Sequence, residues 1–441
     1  MNRNLLKYTV VAALGGLLFG FDTVVISGAT SALKDLFSLT PLLLGITVAS
    51  GLCGTVFGSL FAGQPSDRYG RRACLQALAV LYVVTAAGCA LAPDWYVFVT
   101  FRLISGLAIG GSSVIGPMYI AEIAPAAKRG RLVGLFQLNI VSGILLAYLS
   151  NYLIGLLGLG ADEWRWKLGI TALPAALFFV ALFSIPQSPR WLVRRGQIDE
   201  ARTIFKSLGE PDPDGEVGDI VKSVESENRQ KSEPLFIYKY RKPIFLAISI
   251  GIFNQLSGIN AILYYLNDIF AKAGFDKVSS DLQAVAIGFT NFLFTVIAMA
   301  VIDRLGRKKL LLTGAIGTAL CQAGVAAVFA TGSHESMLVW LLVGFIAFFA
   351  FSQGAVIWVY LSEVFPNLVR AKGQSLGSFT HWIMNALISA VFPWLAAHSR
   401  PLPFVFFSAM TALQFFVVLL WYPETKGVTL EAMQKTLESP N

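Results

Sequence analysis

The sequence predicts an all-α polytopic membrane protein, with twelve transmembrane helices in two pseudo-symmetric six-helix bundles joined by a cytoplasmic helical linker. Three observations predict it. The composition is 55% hydrophobic and only 14% charged, with a mean hydropathy of +0.65, whereas soluble domains carry roughly 25% charged residues. Apolar runs of about 18 residues or more recur along the whole chain, each long enough to cross the hydrocarbon of a bilayer. Several short segments also return in order after a near-constant interval, the mark of a duplicated unit. In hydrocarbon every backbone donor and acceptor must pair internally, so helices are the spanning form. A β-barrel would need short alternating segments, and the runs here are unbroken.

The spans fall at about 8–31, 43–65, 73–92, 96–121, 131–158, 167–186, 243–269, 281–302, 310–331, 337–361, 371–396 and 402–422. The first carries a carboxylate, Asp22, inside "LLFGFDTVVISG". It is too long for a signal-peptide core and lacks a small-residue cleavage site, so it is expected to be retained. Spans two and three flank "SDRYGRR". Span four holds Arg102 and the run "GLAIGG" (106–111), which inside a span is explained by close helix packing, not by a phosphate loop. Spans five and six lead to "PQSPR", and the charged 191–242 segment follows, with a helical stretch "IDEARTIFKSLG" and a Pro/Asp turn at "EPDPDGE". Span seven contains "NQLSGIN", and spans eight and nine flank "IDRLGRK". Span ten holds Trp358 and span eleven His381 and Asn385; span twelve ends before "PETKG". The expected organisation is an N-terminal bundle at 1–190, a linker at 191–242, a C-terminal bundle at 243–422 and a cytoplasmic tail at 423–441.

With the N-terminus inside, the cytoplasmic segments hold 27 of the 34 Lys and Arg, the outer loops hold six, and Arg102 alone lies within a span. This bias assigns both termini to the cytoplasm of a multi-pass protein in the cell (plasma or inner) membrane. The net charge of +8 reflects that topology and attraction to the headgroups of the lipid bilayer, not binding to nucleic acid. Cys53, Cys74, Cys89 and Cys321 all fall inside spans and read as small packing residues. A monomer is expected. No metal site, cofactor motif or nucleophile constellation is present, so the chain does not read as an enzyme.

"SDRYGRR" (66–72) returns as "IDRLGRK" (302–308), "YIAEIAPAAKRGR" (119–131) as "YLSEVFPNLVRAK" (360–372), and "PQSPR" (186–190) as "PETKG" (423–427), at offsets of 236, 241 and 237 residues. An offset in the same range sets "FGFD" (19–22) on "SGIN" (257–260), placing Asp22 opposite Asn260. Matched halves with polar residues at matching depth imply a site at their interface, as in an alternating-access carrier. Arg68, Arg71 and Arg72 of the first turn are matched by Arg304 and Arg307 of its repeat. Glu122 and Glu363 end their spans within reach of these arginines, Arg129 and Arg370 follow each by seven residues, and Arg190 and Glu424 belong to the third repeated segment. Anchoring on the inner face explains single arginines; the duplication favours carboxylate–guanidinium pairs acting as a cytoplasmic gate.

These segments resemble the sugar porter family of the major facilitator superfamily, which includes bacterial sugar/proton symporters and facilitative glucose transporters. The residues that carry the resemblance are "DRYGRR", "RLISGLAIGGSSVIGPMYIAEIAP", "PQSPRWL", "NQLSGINAILYY", "DRLGRKK", "WVYLSEVFPNLVRAKG" and "PETKG", which with Asp22 span nearly the whole chain. Four places depart from the family pattern. Gln187 stands where Glu is common, Asn254-Gln255 where a Gln pair is common, Gly354-Ala355 where Gly-Pro precedes the tryptophan, and His381 where Gln or Asn is usual.

A neutral polyol calls for carboxamide donors and acceptors together with aromatic faces. Span seven supplies Asn254, Gln255 and Asn260; Gln255 and Asn260 line one cavity only if the helix loosens, and Ser257-Gly258 is the place for it. The resemblance implies that Gln137, Asn291, Trp358 and Asn385 complete the monosaccharide site, with Phe19, Tyr264 and Trp382 as neighbours. His381, four residues before Asn385, shares its helical face and is expected to alter sugar preference. Each amide taken alone also reads as interhelical glue.

An ionised Asp at membrane depth is disfavoured by roughly 2.5–3.5 kcal/mol on insertion scales and marks a functional residue by default. Arg102 is the obvious partner of Asp22. Burial disfavours the ionised carboxyl and the guanidinium favours it, so a small change in their separation switches the proton on or off. The resemblance implies proton coupling, because symporters of the family carry Asp at position 22 and facilitative carriers Asn; Ile144 is the facilitative-type residue. The expected activity is proton-coupled import of a hexose such as glucose. The competitors are a uniporter of hexose or pentose with the same fold, an exporter whose site would be acidic and apolar, and a membrane enzyme or sensor.

Overall fold

The computed structural model describes residues 2–125, 128–229, 233–366 and 368–428, with Met433 and Leu437. Most of the tail expected at 423–441 lies outside the described residues. Among those described, twelve helices are long and apolar enough to cross a membrane. Spans 1 to 6 are Arg3–Gly28, Pro41–Phe61, Arg71–Ala90, Trp95–Ile123, Arg129–Gly155 and Gly160–Leu182. Spans 7 to 12 are Tyr238–Tyr264, Lys277–Leu305, Arg307–Thr331, Met337–Glu363, Arg370–His398 and Leu402–Trp421.

Local chemistry sets several of the ends. Asp94 caps span 4 by accepting the Val97 N–H at 3.0 Å, and Asp276 caps span 8 by accepting the Ser279 N–H at 2.9 Å. Span 7 differs from the single run expected at 243–269. It is helical over Arg241–Leu256 and again over Ile259–Tyr264. The chain then turns at Tyr265 into a separate short helix, Leu266–Lys272. The interruption falls at Ser257-Gly258, where Gly258 adopts φ +77°, a conformation that residues with a Cβ rarely take. Span 10 is also interrupted, at Ser352. The break there precedes Gly354-Ala355, and the Ser352 hydroxyl donates to the Phe348 carbonyl at 2.6 Å.

The 191–242 segment holds two helices, Ile198–Leu208 and Pro213–Arg229, after a short one at Pro189–Arg194. Ile198–Leu208 buries Ala201, Ile204, Phe205 and Leu208, an i, i+3, i+4, i+7 stripe that explains why a charged segment packs at all.

Contacts divide the chain into two compact units. One comprises Met1–Thr23, Cys53–Ala147 and Arg165–Lys231; the other comprises Val24–Leu52, Tyr148–Trp164 and Ser232–Asn441. The core of the first includes Tyr82, Tyr119, Phe178, Leu192 and Phe205. In the second, Tyr360 and Tyr422 stack at 5.2 Å within the core. The same unit gathers the far ends of spans 1 and 5 onto span 7 and its neighbours. Tyr148 donates its hydroxyl to the Leu263 carbonyl at 2.6 Å, Ser31 donates to Asp268 at 2.9 Å, and Lys277 pairs with Glu163 at 2.7 Å. Burial pushes the Asp268 carboxyl above its ordinary range, against the hydrogen bonds from Thr30 and Ser31.

Candidate functional site

Each unit carries a cluster of polar side chains inside its spans. In the first, span 1 delivers Asp22 and span 4 delivers Arg102. Arg102 Nη1 lies 3.1 Å from Asp22 Oδ2, with the side chains 4% and 7% exposed. The same nitrogen lies 3.4 Å from the Asp22 carbonyl. Ser105 Oγ donates to the same carboxylate oxygen at 3.0 Å. Arg102 Nε is buried without a partner. A buried carboxylate is tenable only with such compensation, and taking away one partner leaves the other charge exposed to the full desolvation penalty. Ser105 was not singled out in the sequence; its signal is its place three residues after Arg102, on the same helical face.

In the second unit the break in span 7 places amides on both sides of Gly258. Asn260 Nδ2 donates to Gln255 Oε1 at 3.0 Å. Gln255 Nε2 lies 3.2 Å from Asn254 Oδ1 and 3.2 Å from His381 Nε2. Asn254 Nδ2 reaches the Gln353 carbonyl at 3.5 Å, the limit of a hydrogen bond. The His381 ring lies 5.1 Å from that of Trp358 and 5.1 Å from that of Trp382. One turn further along span 11, Asn385 donates to the Tyr264 hydroxyl at 3.1 Å and accepts from Ser389 at 3.2 Å. Asn291 is 7% exposed. Gln137 and Phe19 belong to the first unit and are not grouped with these residues. The arrangement offers uncharged donors and acceptors beside aromatic faces, which suits a polyol.

The charged turns form two parallel constructions, each closed within its own unit. Arg71 contacts both Glu122 oxygens, with Nη2 to Oε1 at 2.8 Å, and Asp67 at 3.0 Å. Arg307 does the same with Glu363 at 2.8 Å and Asp303 at 3.0 Å. The Gln187 side chain accepts the Arg72 N–H at 3.2 Å, and Glu424 accepts the Arg307 and Lys308 N–H groups at 2.9 and 3.1 Å. Burial would raise the Glu424 carboxyl, but these N–H donors, with those of Lys426 and Thr425, hold it below its ordinary 4.5. Arg190 donates to Ser223 at 3.4 Å and, with Arg129, lines a cavity of about 470 Å³ in the first unit. The Arg68 carbonyl accepts from Arg195, the Arg304 carbonyl from Lys426 at 2.6 Å, and Arg370 donates to the Phe365 carbonyl at 3.3 Å. Among the described residues no group of three or more His, Cys, Asp or Glu is placed to hold a metal.

Twelve spans in a duplicated chain, with an unpaired-helix break lined by amides, define a secondary carrier of the major facilitator type. Residues 8–437 match the family described as "Sugar (and other) transporter", and the chain belongs to that family. It is 36% identical to the D-xylose-proton symporter of Escherichia coli (strain K12), over 98% of this chain and 95% of that one. It is 36% identical to a glucose transport protein of Synechocystis sp., over 96% of this chain and 95% of that one. Among solved structures it is similar to the inward-open conformation of the Escherichia coli xylose transporter, with a TM-score of 0.87, 33% identity, and 98% and 99% of the two chains covered.

Proposed function

We propose that this protein imports a monosaccharide together with a proton, by alternating access across the cell membrane, as a monomer with both termini in the cytoplasm. The observation that carries the reading is the pairing of functions on one chain: a buried Asp22–Arg102 pair in an unbroken span and a bonded amide set around the break in span 7. Gln255, Asn260, His381 and Trp358 bind the sugar, with Asn254, Asn291, Asn385, Tyr264 and Trp382 around them; Gln137 and Phe19 join them on the family resemblance. Asp22 takes a proton when Arg102 withdraws and gives it up when the guanidinium returns. Arg71–Glu122 and Arg307–Glu363 hold the cytoplasmic ends of their own units as parts of the gate.

The named relatives support both proton coupling and a monosaccharide substrate; one is named for a pentose and one for a hexose. Glucose is the hexose this reading puts first. Purified protein in liposomes, offered labelled glucose and xylose with and without an imposed proton gradient, tests it. The expected result is uptake above equilibrium only with the gradient. Uptake that ignores the gradient would establish the second reading, a uniporter, which the apolar Ile144 of span 5 favours.

A further inference from the structure

The break in span 7 leaves a carbonyl that the helix itself cannot serve. The second helical piece begins its bonding with the Ile262 N–H to the Gly258 carbonyl at 2.9 Å, one residue past Ser257. Among the described residues, the Ser257 carbonyl receives no backbone N–H. It is met instead from span 9, where Gln322 Nε2 donates to it at 2.9 Å. Gln322 is 1% exposed. Its Oε1 is buried with no partner, a disfavoured state for an amide oxygen inside an apolar span. A glutamine at that place therefore needs a reason, and its donor end supplies one.

We infer that Gln322 is a positioning residue for the sugar site: it fastens the pivot of span 7 and so fixes the distance between Gln255 and Asn260. The inference rests on the proposed sugar reading for its consequence, though not for its geometry. Gln255 precedes the pivot by two residues and Asn260 follows it by three, and a 3.0 Å hydrogen bond joins them across the bend. The Ser257 side chain is engaged on the other side, donating to the Asn254 carbonyl at 2.6 Å. The pivot is thus held from within by Ser257 and from without by Gln322. A carbonyl freed by loss of Gln322 would let the two pieces straighten or twist.

The test compares Gln322→Met, which keeps the length and apolar bulk but removes the donor, with Gln322→Asn, which shortens its reach. Gln414→Met in span 12 serves as a control, removing another buried amide with an unpartnered oxygen. In proteoliposomes, Gln322→Met is expected to raise the sugar KM about tenfold while exchange at saturating sugar stays within about twofold, and Gln322→Asn to raise it about threefold. Gln414→Met leaves KM unchanged. Hydrogen exchange of the 254–264 segment, read by mass spectrometry without sugar, speeds several-fold in Gln322→Met, less in Gln322→Asn, and not in Gln414→Met. If the wild type accepts no sugar, the transport reading fails, and the exchange measurement still decides the positioning role. Unchanged exchange in both Gln322 variants, or a KM rise equalled by Gln414→Met, overturns the inference.

Discussion

Asp22 and Asn260 hold matching places in the two halves of the chain, one in "FGFD" and the other in "SGIN", yet the helices around them behave differently. Gly20 and Gly258 are also counterparts. Gly20 stays helical, and a Cβ there would lie 1.9 Å from the Ile140 carbonyl, so its bareness serves close packing of span 5 on span 1. Gly258 turns to φ +77° and breaks its helix. The intact helix can hold a charge rigidly against Arg102; the broken one can aim several neutral amides at a shared point. The duplication preserved the glycine and divided the labour. On the proposed function, proton handling goes with the unbroken copy and sugar binding with the broken one.

Substitutions that make one half like the other break this contrast. The largest effect is expected from Asp22→Asn, which gives the first half the amide of the second. Under a gradient of about two pH units, concentrative uptake should fall from a limit of about 100-fold to equality across the membrane, while counterflow exchange persists. Labelled-sugar uptake in vesicles measures both. Next comes Asn260→Leu, which should raise the sugar KM by about 10–100-fold, equivalent to roughly 1.4–2.8 kcal/mol, and leave the remaining transport gradient-dependent. If Asn260→Leu uncouples the proton, the division of labour is wrong.

The smallest effect sharpens the contrast at the cytoplasmic turns, where Gln187 accepts from the Arg72 N–H and Glu424 from its counterpart, the Lys308 N–H. Glu424 is held below its ordinary 4.5, so its stabilisation is present above that value and fades as pH falls through the depressed one. Gln187 does not titrate. Melting in detergent should therefore lose stability on acidification in the wild type more than in Glu424→Gln, and Gln187→Glu should add a second acid-sensitive component. A melting profile for Glu424→Gln with the same acid dependence as the wild type would contradict this.

Much of this was legible in the residues. The pairing of Asp22 with Arg102 is legible because Arg102 is the arginine that the sequence places deep inside an apolar run, and a buried carboxylate needs such a partner. The break at Ser257-Gly258 was legible because two amides five residues apart share a face only if the helix bends. The approach of Arg71 to Glu122 and Arg307 to Glu363 followed from the duplicated spacing. Ser105 is readable only from its i+3 spacing after Arg102. Gln322 could not be read: a lone amide in span 9 carries no periodicity that points to the Ser257 carbonyl, 65 residues away in sequence. The break at Ser352 is likewise hidden, because a serine that bonds back to Phe348 leaves no mark in the spacing. Packing between distant spans decides such details, and sequence spacing does not record it.

The most direct test of the account is sugar-driven proton movement in a weakly buffered suspension of proteoliposomes, with no gradient imposed. Addition of the accepted monosaccharide should make the outer medium more alkaline, with the wild type responding and Asp22→Asn silent. Sugar entry with no change in pH, or an undiminished change in Asp22→Asn, would contradict it.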